Sequence, residues 1–361
     1  MKTITFIIAA LLLLAACAQT EEVKPYKFGA VLSLTGPQAF YGEFSKAGIE
    51  LAIEDLNKAG GINGRPVQII YEDSVSEKAK ATTGAQKLVN VDNVDALLTS
   101  TTTMAGAVAP VAEDNQVPMI YGSATDFTIN KTYVFKDYPS AYDECALLMK
   151  EALKQGHSKI ALFGMNAEFL HVCKNGAETV GKLAIVETYN SGDKDFKTQL
   201  AKVQNSGSTA LMILTFSNDC LNTYKQMREL GMKPQLYLAF QAFGCGTPEN
   251  TKVYPELFDK AIGAEVAIDL NGTDPEFVAF KKRLEEKGWT AQIIGSAVMY
   301  DGVMEMAKAM QGCTDNLCIA NNLRNLNNYK GVSGTISYNG DNVVEREIMF
   351  TKWVNGKWVK A

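Results

Sequence analysis

Five consecutive hydroxyl residues at 99–103, Thr-Ser-Thr-Thr-Thr, form the segment whose chemistry is easiest to state. They end an apolar run that predicts a strand over 94–99, and they precede a predicted helix over 104–115. Hydroxyl groups at such a junction can cap the helix, and a helix N-terminus attracts anions. The segment therefore indicates a site for a carboxylate, although some of these hydroxyls would serve only as caps.

The sequence offers little for catalysis. His157 and His171 are the only histidines; His157 precedes a predicted strand, and His171 lies on a predicted helix where it could contact a ligand. No GxSxG, HExxH or lysine-containing phosphate loop occurs, and no histidine is placed to activate a serine or threonine. We therefore expect a binding protein and not an enzyme, with no metal or other cofactor.

The first seventeen residues predict export. Lys2 precedes an apolar run over 4–16, which ends in Leu-Ala-Ala before Cys17. A run of about 13 residues suits a secretory signal, because a membrane span needs ~20. The ending resembles the lipobox of bacterial lipoproteins, which implies a signal peptide over 1–16, lipid on Cys17, a tether over 17–26 and a membrane-anchored periplasmic or cell-surface protein. A plain secretory signal with an incidental cysteine is the alternative.

Size and charge narrow the class of protein. The chain has 361 residues, which is long for one small core and suits two domains. Its 35 basic and 40 acidic residues give a net charge of −5. This balance indicates neither a nucleic-acid partner nor a polybasic membrane patch.

Six cysteines remain if Cys17 carries lipid, and an even number in an oxidising compartment predicts disulfides. Cys313 and Cys318 enclose only four residues and form the most plausible pair. The connectivity of the other four stays open, and one arrangement joins the pairs Cys145–Cys173 and Cys220–Cys245.

Short apolar runs alternate with amphipathic helices in two series, over 28–121 and over 141–239. In the first helix Ile49, Ile53 and Leu56 share one face. Such alternation predicts an α/β fold with two doubly wound lobes, whose ligands lie beyond the carboxyl ends of the strands. The end of the chain differs, with helices predicted over 275–287, 293–310 and 317–325 and strands over 334–338 and 347–354.

A series of motifs extends along the mature chain. In chain order they are Leu34-Thr35-Gly36-Pro37, 57–64, Glu72-Asp73, 117–125, Lys194-Asp195-Phe196, Tyr300-Asp301 and 331–334. The series resembles the type I periplasmic binding proteins, specifically the branched-chain amino-acid-binding family of ABC importers. The resemblance implies two lobes that are joined by a three-strand hinge and close over a small ligand.

The resemblance also implies where the chain crosses between the lobes, near 141, 268 and 334. Lobe 1 would then comprise 27–141 and 269–333. Lobe 2 would comprise 142–268 and 335–361.

Ligand-binding residues are implied on both lobes. Thr101 and Thr102 match the family's first carboxylate loop, and Ser123 and Thr125 match its second. Further aromatic residues are expected to form a pocket wall, although some would be ordinary core; they are Tyr41, Phe169, Phe216, Phe240 and Phe243.

The second lobe departs from the amino-acid-binding pattern. The acidic residue that would neutralise a ligand ammonium falls near Phe240 or Gln241, where 239–246 contains no Asp or Glu. A buried cation without a partner is costly. Three explanations stay open. Asp219 or Glu168 neutralises the ammonium group instead, the ligand has no ammonium group, or the alignment with the family is displaced by one helical turn.

Three functions follow as hypotheses. The first is a receptor of an ABC importer for a branched-chain or other hydrophobic amino acid, with a membrane permease and ATPase subunits as partners. The second keeps the fold and binds an aromatic or aliphatic carboxylate or an amide. The third is a sensory receptor that reports its ligand to a signalling partner.

Overall fold

The computed structural model describes residues 23–361 except 216, 241–244, 247, 269–271, 290–292 and 356. The predictions for Cys17, Phe216, Gln241 and Phe243, and those for the signal peptide, fall outside the described residues. Within the described part, no helix combines the length and the apolar character that crossing a membrane requires.

The first lobe surrounds a parallel five-stranded sheet of order β2-β1-β3-β4-β5. Its strands are β1 Tyr26–Leu32, β2 Val67–Asp73, β3 Ala96–Ser100, β4 Met119–Gly122 and β5 Val134–Lys136. Its first helices are α1 Ala39–Lys58, α2 Lys78–Asn90 and α3 Thr102–Asp114. All five residues of the central strand β3 are buried, as expected for a strand covered on both faces.

The second lobe repeats this plan with five parallel strands in the order β10-β9-β8-β6-β7. These strands are β6 Ile160–Met165, β7 Ile185–Tyr189, β8 Ala210–Leu214, β9 Gln235–Leu238 and β10 Ile262–Val266. The accompanying helices are α4 Ala141–Lys154, α5 Glu168–Val180, α6 Lys197–Asn205, α7 Ser217–Glu229 and α8 Pro248–Val253, followed by a 3₁₀ turn, Pro255–Leu257. Both sheets confirm the predicted α/β class.

The last ninety residues return to the first lobe and then re-enter the second. The elements are α9 Pro275–Glu286, α10 Ile293–Met310, α11 Asn316–Arg324, β11 Tyr329–Gly331, β12 Gly334–Tyr338, β13 Val344–Glu345, β14 Ile348–Val354 and β15 Lys357–Lys360. Helix α10 packs on α1 and β4, while β14 pairs antiparallel with β10 and β15.

The chain passes from one sheet to the other after β5, after β10 and before β14. Ile336, Tyr338 and Val344 pack in the first lobe's core, so the small sheet β11-β12-β13 lies with lobe 1. The sequence had assigned 335–361 to lobe 2; packing favours a later crossing, just before Ile348. The other domain boundaries stay a prediction.

Helices α1 and α10 approach each other closely at Gly48. An added Cβ at this position would lie 2.0 Å from the backbone oxygen of Ser296 on α10. The Ser296 hydroxyl also donates to the Phe44 carbonyl at 3.0 Å. Glycine is therefore required at 48 for the two helices to pack.

All three predicted disulfide pairs are present. For two of them the sequence had left the connectivity open. Their sulfur–sulfur distances are 2.04 Å for Cys145–Cys173, 2.10 Å for Cys220–Cys245 and 2.00 Å for Cys313–Cys318. The first joins α4 to α5, and the third joins the end of α10 to α11.

A buried ionic cluster lies where the chain crosses between the lobes. Arg346 donates to Asp137 through Nε at 2.8 Å and Nη2 at 2.5 Å, and its Nη2 lies 3.7 Å from Glu305. Asp301 accepts from the Val332 N–H at 2.9 Å, and all three carboxylates are at most 1% exposed. Two buried carboxyl groups, Asp137 and Glu305, thus lie beside one guanidinium, and Asp301 adds a third negative charge near it.

Candidate functional site

A cavity of about 310 Å³ lies between the two lobes. The first lobe lines it from α1, from the junction of β3 and α3, from the end of β4 and from α10. The second lobe lines it from the loop after β6, from the start of α5 and from Phe240, which follows β9. Apart from α1 and α10, these segments follow the carboxyl ends of strands, where doubly wound sheets bind their ligands.

Hydroxyl groups collect at the first-lobe end of the cavity. The Oγ1 atom of Thr102 lies 3.3 Å from the Ser123 Oγ and 3.3 Å from the Thr125 Oγ1. Thr101, Thr102 and Ser123 line the cavity, and Thr125 is not among the lining residues. Thr125 contacts the cavity-lining Thr102 through its Oγ1 atom, and its predicted contact with a ligand stays a prediction.

The start of α3 leaves its backbone donors unsatisfied by any side-chain cap. Its N-cap, Thr101, has φ 68° and ψ 149°, a conformation that a β-branched residue rarely adopts and that clusters at ligand sites. The Thr101 Oγ1 atom is buried and has no hydrogen-bond partner. A helix N-terminus with free N–H groups and a buried hydroxyl suits an anionic oxygen.

Aromatic rings form the remaining wall. The cavity is lined by Tyr41, Phe44, Phe127, Tyr138, Phe169 and Phe240. Burial, and secondly the negative charge of Asp219 across the cleft, raise the pKa of the Tyr41 hydroxyl, so Tyr41 is a neutral donor at physiological pH. Such a wall suits an apolar or aromatic ligand body.

Charged groups are few at the described part of the wall. Lys78 of the first lobe and Glu168 of the second line the cavity, and both residues are exposed to solvent. Asp219 does not line it; its Oδ2 accepts the Tyr189 hydroxyl at 3.0 Å. Of the two predicted acids, Glu168 is therefore the one placed to meet a ligand directly.

The histidines lie elsewhere. His157 contacts the Thr209 hydroxyl at 2.8 Å and the Gln235 side-chain oxygen at 3.2 Å, while His171 is exposed on α5. Neither belongs to the cavity lining.

Sequence reasoning missed several wall residues. Tyr138 precedes α4 in a stretch without periodicity, and Phe127 follows a short strand in a loop, so no pattern marked either of them. Phe44 stands one helical turn after Tyr41 and could have been found by spacing. The structure shows where the ligand-binding residues that the sequence indicated lie, within the described part of the chain. Their role in ligand binding stays a prediction.

The sequence of this chain is similar to those of known proteins. The sequence profile described as Periplasmic binding protein matches residues 25–357. The Leu/Ile/Val-binding protein homolog 2 from Brucella abortus (strain 2308) is 25% identical over 355 residues, which cover 91% of this chain and 90% of that protein. Homolog 8 from Brucella suis is 26% identical over 240 residues, which span 61% of this chain and 59% of that protein.

Solved structures show the same fold. The branched-chain amino acid transporter substrate binding protein of Streptococcus pneumoniae, in complex with isoleucine, has a TM-score of 0.81 at 22% identity and covers 94% of this chain and 100% of that chain. A solute binding protein from R. palustris, in complex with 4-hydroxybenzoate, has a TM-score of 0.80 at 19% identity, with coverages of 94% and 96%. The chain therefore belongs to the periplasmic binding protein family of solute-binding proteins, and among them it is related to the Leu/Ile/Val-binding proteins.

Proposed function

We propose that this protein is the solute-binding component of an ABC importer and captures a small carboxylated solute between its lobes. One observation carries the proposal: the uncapped N-terminus of α3, with the buried hydroxyl of Thr101, opens into an apolar cavity that both lobes line. The solute's carboxylate would bind at this end, and its apolar body would contact the aromatic wall. Closure of the lobes about their three crossovers would remove the solute from water.

Binding measurements on refolded protein, freed of any co-purified solute, test this proposal. The panel contains leucine, isoleucine, valine, phenylalanine and the 2-oxo acids that correspond to leucine and phenylalanine. Thr102→Val removes the hydroxyl that contacts both Ser123 and Thr125 and should weaken binding by about 1–3 kcal/mol. Thr83→Val, at an exposed position on α2, is the control. Equal dissociation constants for the two variants would refute the carboxylate site.

A ligand without an ammonium group is the second candidate; the aromatic rings of the lobe-two wall support it, whereas the Glu168 carboxylate supports an ammonium. Phe169 and Phe240 stand on this wall, and Glu168 is the carboxylate that the described residues contribute to the lining. Leucine and 4-methyl-2-oxopentanoate, which differ at the amino group, separate the two candidates. Preference for leucine, lost in Glu168→Gln, supports an amino-acid receptor, whereas preference for the 2-oxo acid supports the second candidate.

The proposal includes lipid attachment at Cys17 and delivery of the solute to a membrane permease with ATPase subunits. The Leu-Ala-Ala-Cys17 sequence supports the anchor, and membership of the family supports an extracytoplasmic location. Mass spectrometry of protein extracted from membranes should find lipid on an N-terminal Cys17. An unmodified peptide that contains this cysteine would contradict the anchor.

A further inference from the structure

Two carboxyl groups support the aromatic wall of the cavity from inside the protein. Glu144, in the first turn of α4, is 0% exposed, and Glu265, on β10, is 1% exposed. The Oε2 atom of Glu144 accepts the backbone N–H of Phe240 at 2.9 Å. The Oε1 atom of Glu265 accepts the hydroxyl of Tyr138 at 2.8 Å. Each acid thus holds one residue that lines the cavity.

The two wall residues held in this way contact each other. The ring centroids of Tyr138 and Phe240 are 5.8 Å apart. Phe240 comes two residues after the end of β9 and has a positive φ of 49°, which a bulky residue adopts only when its surroundings hold it there. The bond from its N–H to a fully buried carboxyl group is a contact that can hold this conformation.

The charges around Glu144 favour its neutral form. Burial, and then the negative charge of Glu265, raise the pKa of the Glu144 carboxyl well above its usual range. The positive charge of Lys136 opposes this rise, but Lys136 is buried and bound to Asp126, and Asp143 adds a further negative charge beside Glu144 on α4. The Oε1 atom of Glu144 has no hydrogen-bond partner.

We propose that Glu144 is a positioning residue of the solute site: its carboxyl group fixes Phe240 in the cavity wall, against Tyr138, which Glu265 holds. The inference rests on the proposed function, because it concerns affinity at the same cavity. Ionisation of Glu144 beside Glu265 adds a second negative charge under the wall that a carboxylated solute approaches. Affinity for a carboxylate is therefore highest at low pH and falls as the pH rises through the titration of Glu144.

The test compares Glu144→Ala and Glu144→Gln with the wild type. The glutamine side chain keeps an acceptor for the Phe240 N–H but cannot ionise, whereas alanine removes the acceptor. Glu151→Gln is the matched control, because Glu151 lies on the same helix, and its oxygens contact Lys154 and Gln155 at the surface.

Two readouts are needed. Amide hydrogen exchange at Phe240 is measured on the ligand-free protein, and dissociation constants for leucine and 4-methyl-2-oxopentanoate are measured from pH 5 to pH 9. We expect Glu144→Ala to lose at least tenfold in Phe240 protection and in affinity. Glu144→Gln should keep both, and its affinity should vary less with pH than that of the wild type.

Several outcomes would overturn the proposal. Wild-type protection of Phe240 in Glu144→Ala would show that the carboxyl group does not hold this residue. The same pH profile in Glu144→Gln and in the wild type would remove the role of ionisation. If neither probe binds the wild type, the proposed carboxylate function fails, but exchange at Phe240 still decides the positioning role. If Glu144→Ala does not fold, the glutamine variant decides through its pH profile.

Discussion

Protonation of the buried cluster between the lobes should control stability, and Asp137 is the residue through which this can be measured. Burial raises the pKa of Asp137 from 3.8 to about 7, although the charge of Arg346 opposes the rise. Burial, and then the charge of Asp137, also raise the pKa of Glu305 well above its usual range. The Asp137 and Glu305 carboxyl groups are buried side by side and can share a hydrogen bond when one is protonated, so the two acids titrate together.

The sign and size of the effect follow from this rise. A carboxyl group whose pKa is higher in the folded protein stabilises it fully below pH 3.8, and this contribution is lost as the pH rises through 7. Each pKa unit corresponds to about 1.4 kcal/mol, so the whole contribution is about 4 kcal/mol. Roughly 3 kcal/mol of it disappears between pH 4 and pH 7.

Urea unfolding at constant ionic strength, followed by tryptophan fluorescence from pH 4 to pH 8, measures this loss. Asp137→Asn cannot ionise, so its free energy of unfolding should lack this fall, although the lost bonds to Arg346 lower its stability at every pH. Asp259→Asn, at an exposed position, is the control and should parallel the wild type. A gap between Asp137→Asn and the wild type that stays constant with pH would refute the reasoning.

Two further perturbations test the packing and the disulfides. Gly48→Ala places a Cβ atom 2.0 Å from the Ser296 backbone oxygen and should lower the free energy of unfolding by about 3 kcal/mol, whereas Gly340→Ala, with no atom within 4 Å, should change it by less than about 0.5 kcal/mol. Equal melting temperatures for these two variants would contradict the close approach of the helices. Replacing Cys145 and Cys173 by serine opens a loop with a sequence separation of 28 and should cost about 3–4 kcal/mol in urea unfolding; an unchanged midpoint would show that the bond adds no stability.

Many of the helices and strands could be predicted from local patterns in the sequence. The periodicity in 43–58 predicted most of α1, which begins earlier, at Ala39. Strand β10, by contrast, was not predicted, because a buried five-residue run next to a second-lobe crossover has no periodicity that separates it from a loop. Strand β5 has only three residues and was missed for the same reason.

The candidate site was readable to a similar extent. Thr101 and Thr102 were found because hydroxyls between a strand and a helix have a chemical meaning that does not depend on the rest of the fold. Tyr138 was not found, because its place in the wall depends on the position of Glu265, which is 127 residues away in sequence.

The α/β class, the alternation of strands and helices and the hydroxyl-rich helix start could all be predicted from the sequence, because each depends on residues close together in the chain. The fold in three dimensions was needed to show that Thr125 contacts Thr102, that Glu144 accepts the Phe240 N–H, and that Asp137 and Glu305 lie beside Arg346. These contacts join segments that are far apart in the chain, and their energies come from burial, which no local pattern reports.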